Sequence, residues 1–220
     1  MPENSWIATG SVQAEPTFLE KALDWIKNHR ETFIGSVVIV LGAAVFAAYF
    51  FVHYRGLRDT AWKNLFIAQQ IGFQGNVPQA QEQLAAIEKS YGNTSAAPYA
   101  AMTKGDIFFA QGKFKEAGDE YAKVLKDADI GPFALYNLGK SKEAARDLTG
   151  AQAQYSEFLS KYPEHFMAPE AHASLARSQE LAGALDLART SYEKIVLLYP
   201  DTGWAMQAKA RLGQQAPAKK

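Results

Sequence analysis

The residues able to carry out chemistry are few and poorly placed for it. Four histidines occur: His29, His53, His165 and His172. His165 and His172 lie seven residues apart, two helical turns, with Glu164 and Glu170 nearby, so a single helix could present them together as metal ligands. Pro163 and Pro169 interrupt any such helix, and no His-Glu-x-x-His or other three-ligand spacing exists. Both histidines are therefore expected at the surface, and no metal site is expected. Gly139-Lys140-Ser141 has the ending of a phosphate-binding loop, but the glycine such a loop needs five residues earlier is replaced by Ala134. No Gly-x-Ser-x-Gly nucleophile turn is present, and no pair of carboxylates stands out from solvated surface groups. With no cysteine, thiol nucleophiles, disulfides and Cys-bound metals are excluded. Asn93-Thr94-Ser95 is a formal glycosylation signal. The expectation is a chain with no catalytic residue, no cofactor and no metal, hence not an enzyme.

The elements that position these residues explain the poverty. The 220 residues carry 23 basic and 23 acidic side chains. A neutral chain has no excess of cations to displace the counterions of a nucleic acid, so nucleic-acid binding is excluded as a class. The slightly negative mean hydropathy conceals an uneven distribution. From Thr32 to Val52, 21 consecutive residues are uncharged, bounded by Arg30 and Glu31 before and by His53, Tyr54 and Arg55 after. At the rise of an α-helix this run spans about 31 Å, the hydrocarbon thickness of a bilayer. Tyr49, Phe50, Phe51 and Tyr54 stand where an interfacial aromatic belt belongs. A transmembrane helix over 32–52 is the reading, as an uncleaved signal anchor. A cleaved signal sequence and a buried core helix are the alternatives; the run is long for the former. Ala43, Ala47, Ala44 and Ala48 share a face at i, i+4, which permits close packing against a neighbouring membrane helix. Before the span, 16–31 places Phe18, Leu19, Leu23, Trp25 and Ile26 at helical spacing, as in an amphipathic helix lying at the interface. Residues 1–15 and 214–220 read as disordered tails. Lys21, Lys27 and Arg30 precede the span and Arg55, Arg58 and Lys63 follow it, so the positive-inside rule gives no orientation.

Residues 53–213 read as helical throughout, with an internal repeat. Gly75, Ala80 and Leu84 recur as Gly112, Ala117 and Tyr121, and again as Gly183, Ala188 and Tyr192; Arg146, Ala151 and Tyr155 form a fourth instance with arginine in the glycine position. The alanines are separated by 37, 34 and 37 residues. Twelve residues after each alanine lie Gly92, Asp129, Pro163 and Pro200, where a helix is expected to end. Twelve residues before lie Ala68, Gly105, Gly139 and Ala176, all small, as close helix crossings require. Each unit is thus a pair of helices A and B joined by a glycine turn, unable to bury its apolar face alone, and the pairs stack into a solenoid. A trailing helix over 203–213, with Trp204, Met206 and Leu212, closes the end.

This period, with its small, Gly, Ala, Tyr and Pro markers, resembles the tetratricopeptide repeat over roughly residues 57–213. The best single unit is 98–131, with Gly105, Phe108, Gly112, Ala117 and Tyr121. The usual tryptophan at the start of helix A is replaced by Ala101 and Leu135 in the central units, and two spacings exceed 34. Residues 171–213 are similar to repeats of the CpoB and BamD type. The fold class is therefore all-α, a single transmembrane helix followed by about four helical hairpins and a capping helix. The wider layout, from LDWIKNHRE through the anchor into the repeats, resembles the YfgM-type ancillary subunit of the SecYEG translocon. That resemblance implies the bacterial inner membrane, a cytoplasmic N-terminus, a periplasmic repeat domain, and as partners the translocon and soluble envelope chaperones. It implies a membrane-anchored protein–protein interaction scaffold. An accessory structural subunit of a larger membrane complex, such as a respiratory one, and an envelope-maintenance coordinator are the alternatives. The inner face made by the A helices is expected to expose Trp62, Tyr99, Met102, Tyr136, Asn137, Lys140 and Arg177, a mix of aromatic side chains and cations suited to an extended peptide or a partner helix.

Overall fold

A computed structural model describes residues 17–215. The expected tail 1–15, and residues 216–220 of the expected tail 214–220, lie outside these; residues 214 and 215 end the last helix. All regular structure among the described residues is helical. The chain divides into two compact units, Met1–Arg55 and Gly56–Lys220.

The first unit holds α1 (Phe18–Asn28) and the beginning of α2 (Arg30–Phe73). Thr17 starts α1 with a capping box: its side chain accepts from the Glu20 N–H while the Glu20 carboxylate accepts from the Thr17 N–H. Phe18, Leu19, Leu23 and Trp25 of α1 are exposed. Along α2 every residue from Thr32 to Val52 is exposed, Ala43, Ala44, Ala47 and Ala48 included. Among the described residues α2 is the one helix long and apolar enough to cross a membrane.

The second unit is a stack of four helix pairs and a closing helix. The rest of α2 pairs with α3 (Val77–Ser90), α4 (Ala96–Ala110) with α5 (Phe114–Ala122), α6 (Gly131–Ala144) with α7 (Leu148–Lys161), and α8 (Ala168–Leu181) with α9 (Leu185–Leu198); α10 (Gly203–Gln215) follows. The marker alanines 80, 117, 151 and 188 are fully buried. Inside each pair a bulky residue of helix B meets a small one of helix A. A Cβ on Gly105 would stand 2.6 Å from Cε1 of Tyr121, and one on Gly139 would stand 2.7 Å from Cε1 of Tyr155. Ala68 faces Leu84, and Ala176 faces Tyr192, in the same register.

The turn from A to B is the same in all four pairs. Its residue adopts a left-handed backbone: φ is +86° at Gly75, +74° at Gly112, +77° at Gly183 and +66° at Arg146. The N–H of that residue and the next bond back to carbonyls of helix A, as in Arg146 N–H to Glu143 O and Asp147 N–H to Lys142 O. Arginine therefore occupies a conformation that costs a side-chain-bearing residue roughly 1 kcal/mol and glycine almost nothing.

Three of the four expected helix ends hold. Tyr91, Tyr162 and Tyr199 close α3, α7 and α9 just before Gly92, Pro163 and Pro200. The fourth does not: α5 ends at Ala122, seven residues before Asp129. There the chain tightens into successive turns, with Lys123 N–H bonding Glu120 O and Val124 N–H bonding Tyr121 O. Asp127, whose Oδ1 accepts from the N–H groups of Asp129 and Ile130, shapes the bend instead. This also locates the three-residue difference in period. Helix B has 14 residues in the first, third and fourth pairs and 9 in the second.

Alpha10 covers the open side of the fourth pair. Ala205 and Ala208 are buried, and Trp204 and Leu212 pack with Tyr192 and Ile195; Met206 remains exposed.

Two substitutions test these constraints. Gly139→Ala is expected to destabilise the second unit by about 1–3 kcal/mol, because the Tyr155 ring has no room to retreat. Arg146→Gly is expected to stabilise it by about 0.5–1 kcal/mol by relieving the left-handed strain. Urea unfolding of the full chain in detergent, followed by circular dichroism, measures both.

Candidate functional site

The A helices of the second unit repeat with offsets of 37, 34 and 37 residues, and those offsets align columns of side chains along their outward surface. One column is Gln69, Asp106, Lys140 and Arg177; the next, one turn on, is Phe73, Ala110, Ala144 and Leu181. Two cavities open on these columns. One, of about 570 Å³, is lined by Gln69, Phe73, Val77, Asp106, Ile107 and Ala110. The other, of about 390 Å³, is lined by Phe109, Lys140, Glu143, Arg146, Arg177 and Leu181. The first is mostly apolar, and Phe73 at its edge is 90% exposed.

Buried tyrosines of the B helices organise the polar side of this surface. Each phenolic hydroxyl needs an acceptor, and a carboxylate on helix A supplies it. The Tyr121 hydroxyl donates to Asp106 Oδ1 at 2.6 Å, that of Tyr155 to Glu143 Oε2 at 2.9 Å, and that of Tyr192 to Glu180 Oε2 at 2.8 Å. Burial, then the adjoining carboxylate, pushes the Tyr192 hydroxyl up to about 12, and Tyr121 rises further for the same reasons. All three remain donors at neutral pH. Glu143 is a hub between pairs: besides Tyr155 it accepts from Arg177 Nε at 2.8 Å, Arg177 Nη2 at 3.2 Å and Ser178 Oγ at 3.2 Å. The hydrogen bonds to Glu143, ahead of its charge, raise the Arg177 guanidinium above its ordinary value. In the second pair Lys104 bonds Glu120 at 2.8 Å and Glu88 at 3.3 Å; burial opposes its charge, and the two carboxylates outweigh it.

The residues expected on the inner face fall into four groups. Trp62 is 38% exposed; its Nε1–H donates to Ser95 Oγ at 3.1 Å, and its ring packs 5.0 Å from that of half-buried Tyr99. Lys140 and Arg177 line the same cavity, with Lys140 Nζ 5.5 Å from the Phe109 ring centroid and 5.9 Å from that of Tyr136. Met102 and Asn137 are half-buried. Tyr136 departs from the expectation: it is 3% exposed, and its hydroxyl bonds Glu170 Oε1 at 2.8 Å and Ser174 Oγ at 3.1 Å. The reason is register. Tyr136 shares a column with buried Leu65, which points into the pair rather than out of it. The residue types alone do not single out Gln69, Phe73, Asp106 or Leu181. Stepping back from Lys140 and Arg177 by the repeat offsets reaches Gln69 and Asp106, and one helical turn further on lie Phe73 and Leu181. Arg146 enters the repeat pattern only as a missing glycine.

Both downstream histidines are also less exposed than expected. His165 is half-buried among Phe133, Phe158 and Phe166, and His172 is buried on α8 with its ring 5.9 Å from that of Tyr199. Among the described residues no cluster of three metal-binding side chains occurs. Gly139-Lys140-Ser141 lies within α6, where Gly139 meets the Tyr155 ring, so the glycine has a packing role.

Burial, then the charge of Lys194, depresses the His172 imidazole from 6.5 to about 4. The unfolded chain therefore takes up a proton near pH 6.5 that the folded chain refuses until about pH 4. Stability is expected to be independent of this group above pH 6.5 and to fall through that window on acidification, by up to about 3 kcal/mol. Urea titrations from pH 7 to pH 4 on the wild type and His172→Gln check this; the variant should lack that part of the slope.

Comparison with known proteins gives the same architecture. The tetratricopeptide repeat family model matches residues 72–134 and 136–202. No curated protein matches the sequence. Among solved structures, a tetratricopeptide repeat protein from Parabacteroides merdae superposes with a TM-score of 0.60 at 19% identity, over 71% of this chain and 60% of that one. MamA from Desulfovibrio magneticus RS-1 gives 0.57 at 19% identity, over 71% of this chain and 83% of its own. A putative kinesin light chain from Podosopora anserina gives 0.58 at 14% identity, over 71% and 85%. This chain thus spans under two thirds of the Parabacteroides protein, and at these identities the likeness is one of fold.

Proposed function

Because the chain belongs to the tetratricopeptide repeat family, a scaffold fold for protein partners, we propose that it is a membrane-anchored interaction scaffold that seats a partner segment along its A helices. The observation that carries this is the pair of outward columns, Gln69 to Arg177 and Phe73 to Leu181, on which two cavities of about 570 and 390 Å³ open. The anchor is assigned to residues 32–52, whose apolar side chains are exposed along a helix of sufficient length. The groove residues Trp62, Tyr99, Asn137, Lys140 and Arg177 are assigned to the partner, Met102 sharing the inward column of Leu65 and Tyr136, with Ala43, Ala44, Ala47 and Ala48 packing against a neighbouring span.

The narrower reading is an ancillary subunit of the translocon and its periplasmic chaperones, in the bacterial inner membrane with the repeats in the periplasm. It rests on the resemblance of the leader and anchor region to the YfgM type. Crosslinking and pull-down from detergent-solubilised membranes is expected to recover translocon subunits and envelope chaperones. Recovery of neither, with other proteins captured, sinks the narrow reading and leaves the scaffold. Protease added to spheroplasts is expected to digest residues 53–220; protection of that segment reverses the orientation.

A further inference from the structure

The B helices break their own pattern at one place. The residue after the marker alanine is Gln81, Gln152 and Arg189 in the first, third and fourth pairs, and Gly118 in the second. In the third pair the long side chain bridges to the next helix A: Gln152 Nε2 donates to the Ser178 carbonyl at 3.1 Å. The Ser178 hydroxyl is satisfied as well, by Glu143 and the Ser174 carbonyl. One repeat earlier the counterpart of Ser178 is Ser141, which is 1% exposed and whose hydroxyl has no hydrogen-bond partner. A hydroxyl removed from water and left unpaired is costly, so its persistence calls for an explanation. Gly118 faces it without a side chain; a Cβ there would stand 3.9 Å from Cβ of Ser141.

Where that side chain is missing, a cavity of about 700 Å³ opens between α5 and α7, over α6. Gly118, Ala122, Ser141 and Ala145 leave it room, and Leu125 and Leu138 give it apolar walls. Leu138, Ser141, Lys142 and Ala145 share one face of α6, whereas Lys140, Glu143 and Ala144 lie on the opposite face, so this cavity and the groove at Lys140 have no residue in common. The rim carries both signs of charge. Lys142 pairs with Asp147 at 3.5 Å, and Glu157 with Lys161 at 2.6 Å. Lys115 and Asp119, one helical turn apart on α5, form no ion pair among the described residues.

We infer that this cavity is a second docking site, on the face of α6 opposite the groove, which takes a glutamine side chain from a segment of a partner protein, flanked there by apolar residues. The molecule itself supplies the template, since glutamine stands at the equivalent position of the first and third pairs. A carboxamide both donates and accepts, so it can satisfy the Ser141 hydroxyl and meet one cation and one carboxylate without adding charge. A carboxylate there would gain from Lys115 and lose against Asp119, and a lysine the reverse. The apolar walls select a side chain carried on a segment over a free amide, which would leave them wet. The site goes beyond the groove reading and does not depend on it: a scaffold with two such faces can hold two partners at once.

The test uses the full chain in detergent micelles on an array of short peptides whose central residue is Gln, Glu, Lys, Leu or Met between apolar neighbours. The wild type is expected to retain the Gln peptides best. Gly118→Gln supplies the missing side chain from the scaffold, with the flexible end of Leu138, 3.2 Å from the new Cβ, giving way. This variant is expected to bind the Gln peptides at least about 10-fold more weakly, with an unfolding midpoint no lower than that of the wild type. Ser141→Ala keeps the shape and removes the hydroxyl, and is expected to lower the preference for Gln over Leu about fivefold. If Gly118→Gln folds and binds the Gln peptides as tightly as the wild type, the site is overturned; those peptides then belong to the groove, whose reading stands. If Gly118→Gln does not fold, Ser141→Ala decides, and an unchanged preference for Gln over Leu overturns the site. Wild-type binding with no preference for Gln, or retention of no peptide, overturns it equally.

Discussion

Two helices can approach no closer than the side chains between them allow, and in the second and third pairs of this solenoid that distance is set by an aromatic ring against a bare Cα. Tyr121 lies over Gly105 and Tyr155 over Gly139, each nearer than any Cβ would permit. Everything else follows from that contact. The ring is buried, so its hydroxyl must find an acceptor, which places a carboxylate further along helix A. In the third pair that carboxylate is Glu143, and its free lone pairs recruit Arg177 and Ser178 from the fourth. Packing within a pair thereby fixes the register between pairs. A stack of otherwise weak alanine-lined interfaces becomes a defined array.

The array in turn decides what the surface offers. Because successive A helices repeat in a shared register, at offsets of 37, 34 and 37 residues, any side chain pointing outward does so in a column. A column that drifts from Gln69 and Asp106 to Lys140 and Arg177 runs from neutral and acidic to basic, beside one that stays apolar. Such a surface reads a partner by the sequence of polarity along it. No single residue need be indispensable, which agrees with a site built for recognition.

Most of this architecture is legible in the sequence, because its constraints are local and repeated. Small residues at fixed distances from the marker alanines, and left-handed turns at glycines, leave a signal in one chain alone. Arg146 shows how far that signal reaches: three glycines predict the turn that the fourth position makes without one. The departures have a shared cause. Spacing alone makes Asp129 a helix end, yet the chain has already turned, using hydrogen bonds to the Asp127 carboxylate that spacing does not record. Residue type alone puts Tyr136 in a groove, whereas its register places it beside Leu65 inside. The flanking prolines suggest a surface His172, and it packs beneath Tyr199. Residue type is a poor guide to direction, and register is a good one.

The closing helix has a consequence for assembly. Every pair buries its apolar side against the next, so a stack with a bare last pair would present Tyr192 and Ile195 as a landing surface for the first pair of another molecule, and a chain of molecules would grow without limit. Alpha10 occupies that surface with Ala205, Ala208, Trp204 and Leu212, while its Arg211 pairs with Glu180 of α8 at 3.9 Å and Lys209 is exposed. The apolar side of the fourth pair is therefore covered by this chain's own α10 rather than left open to the first pair of another molecule.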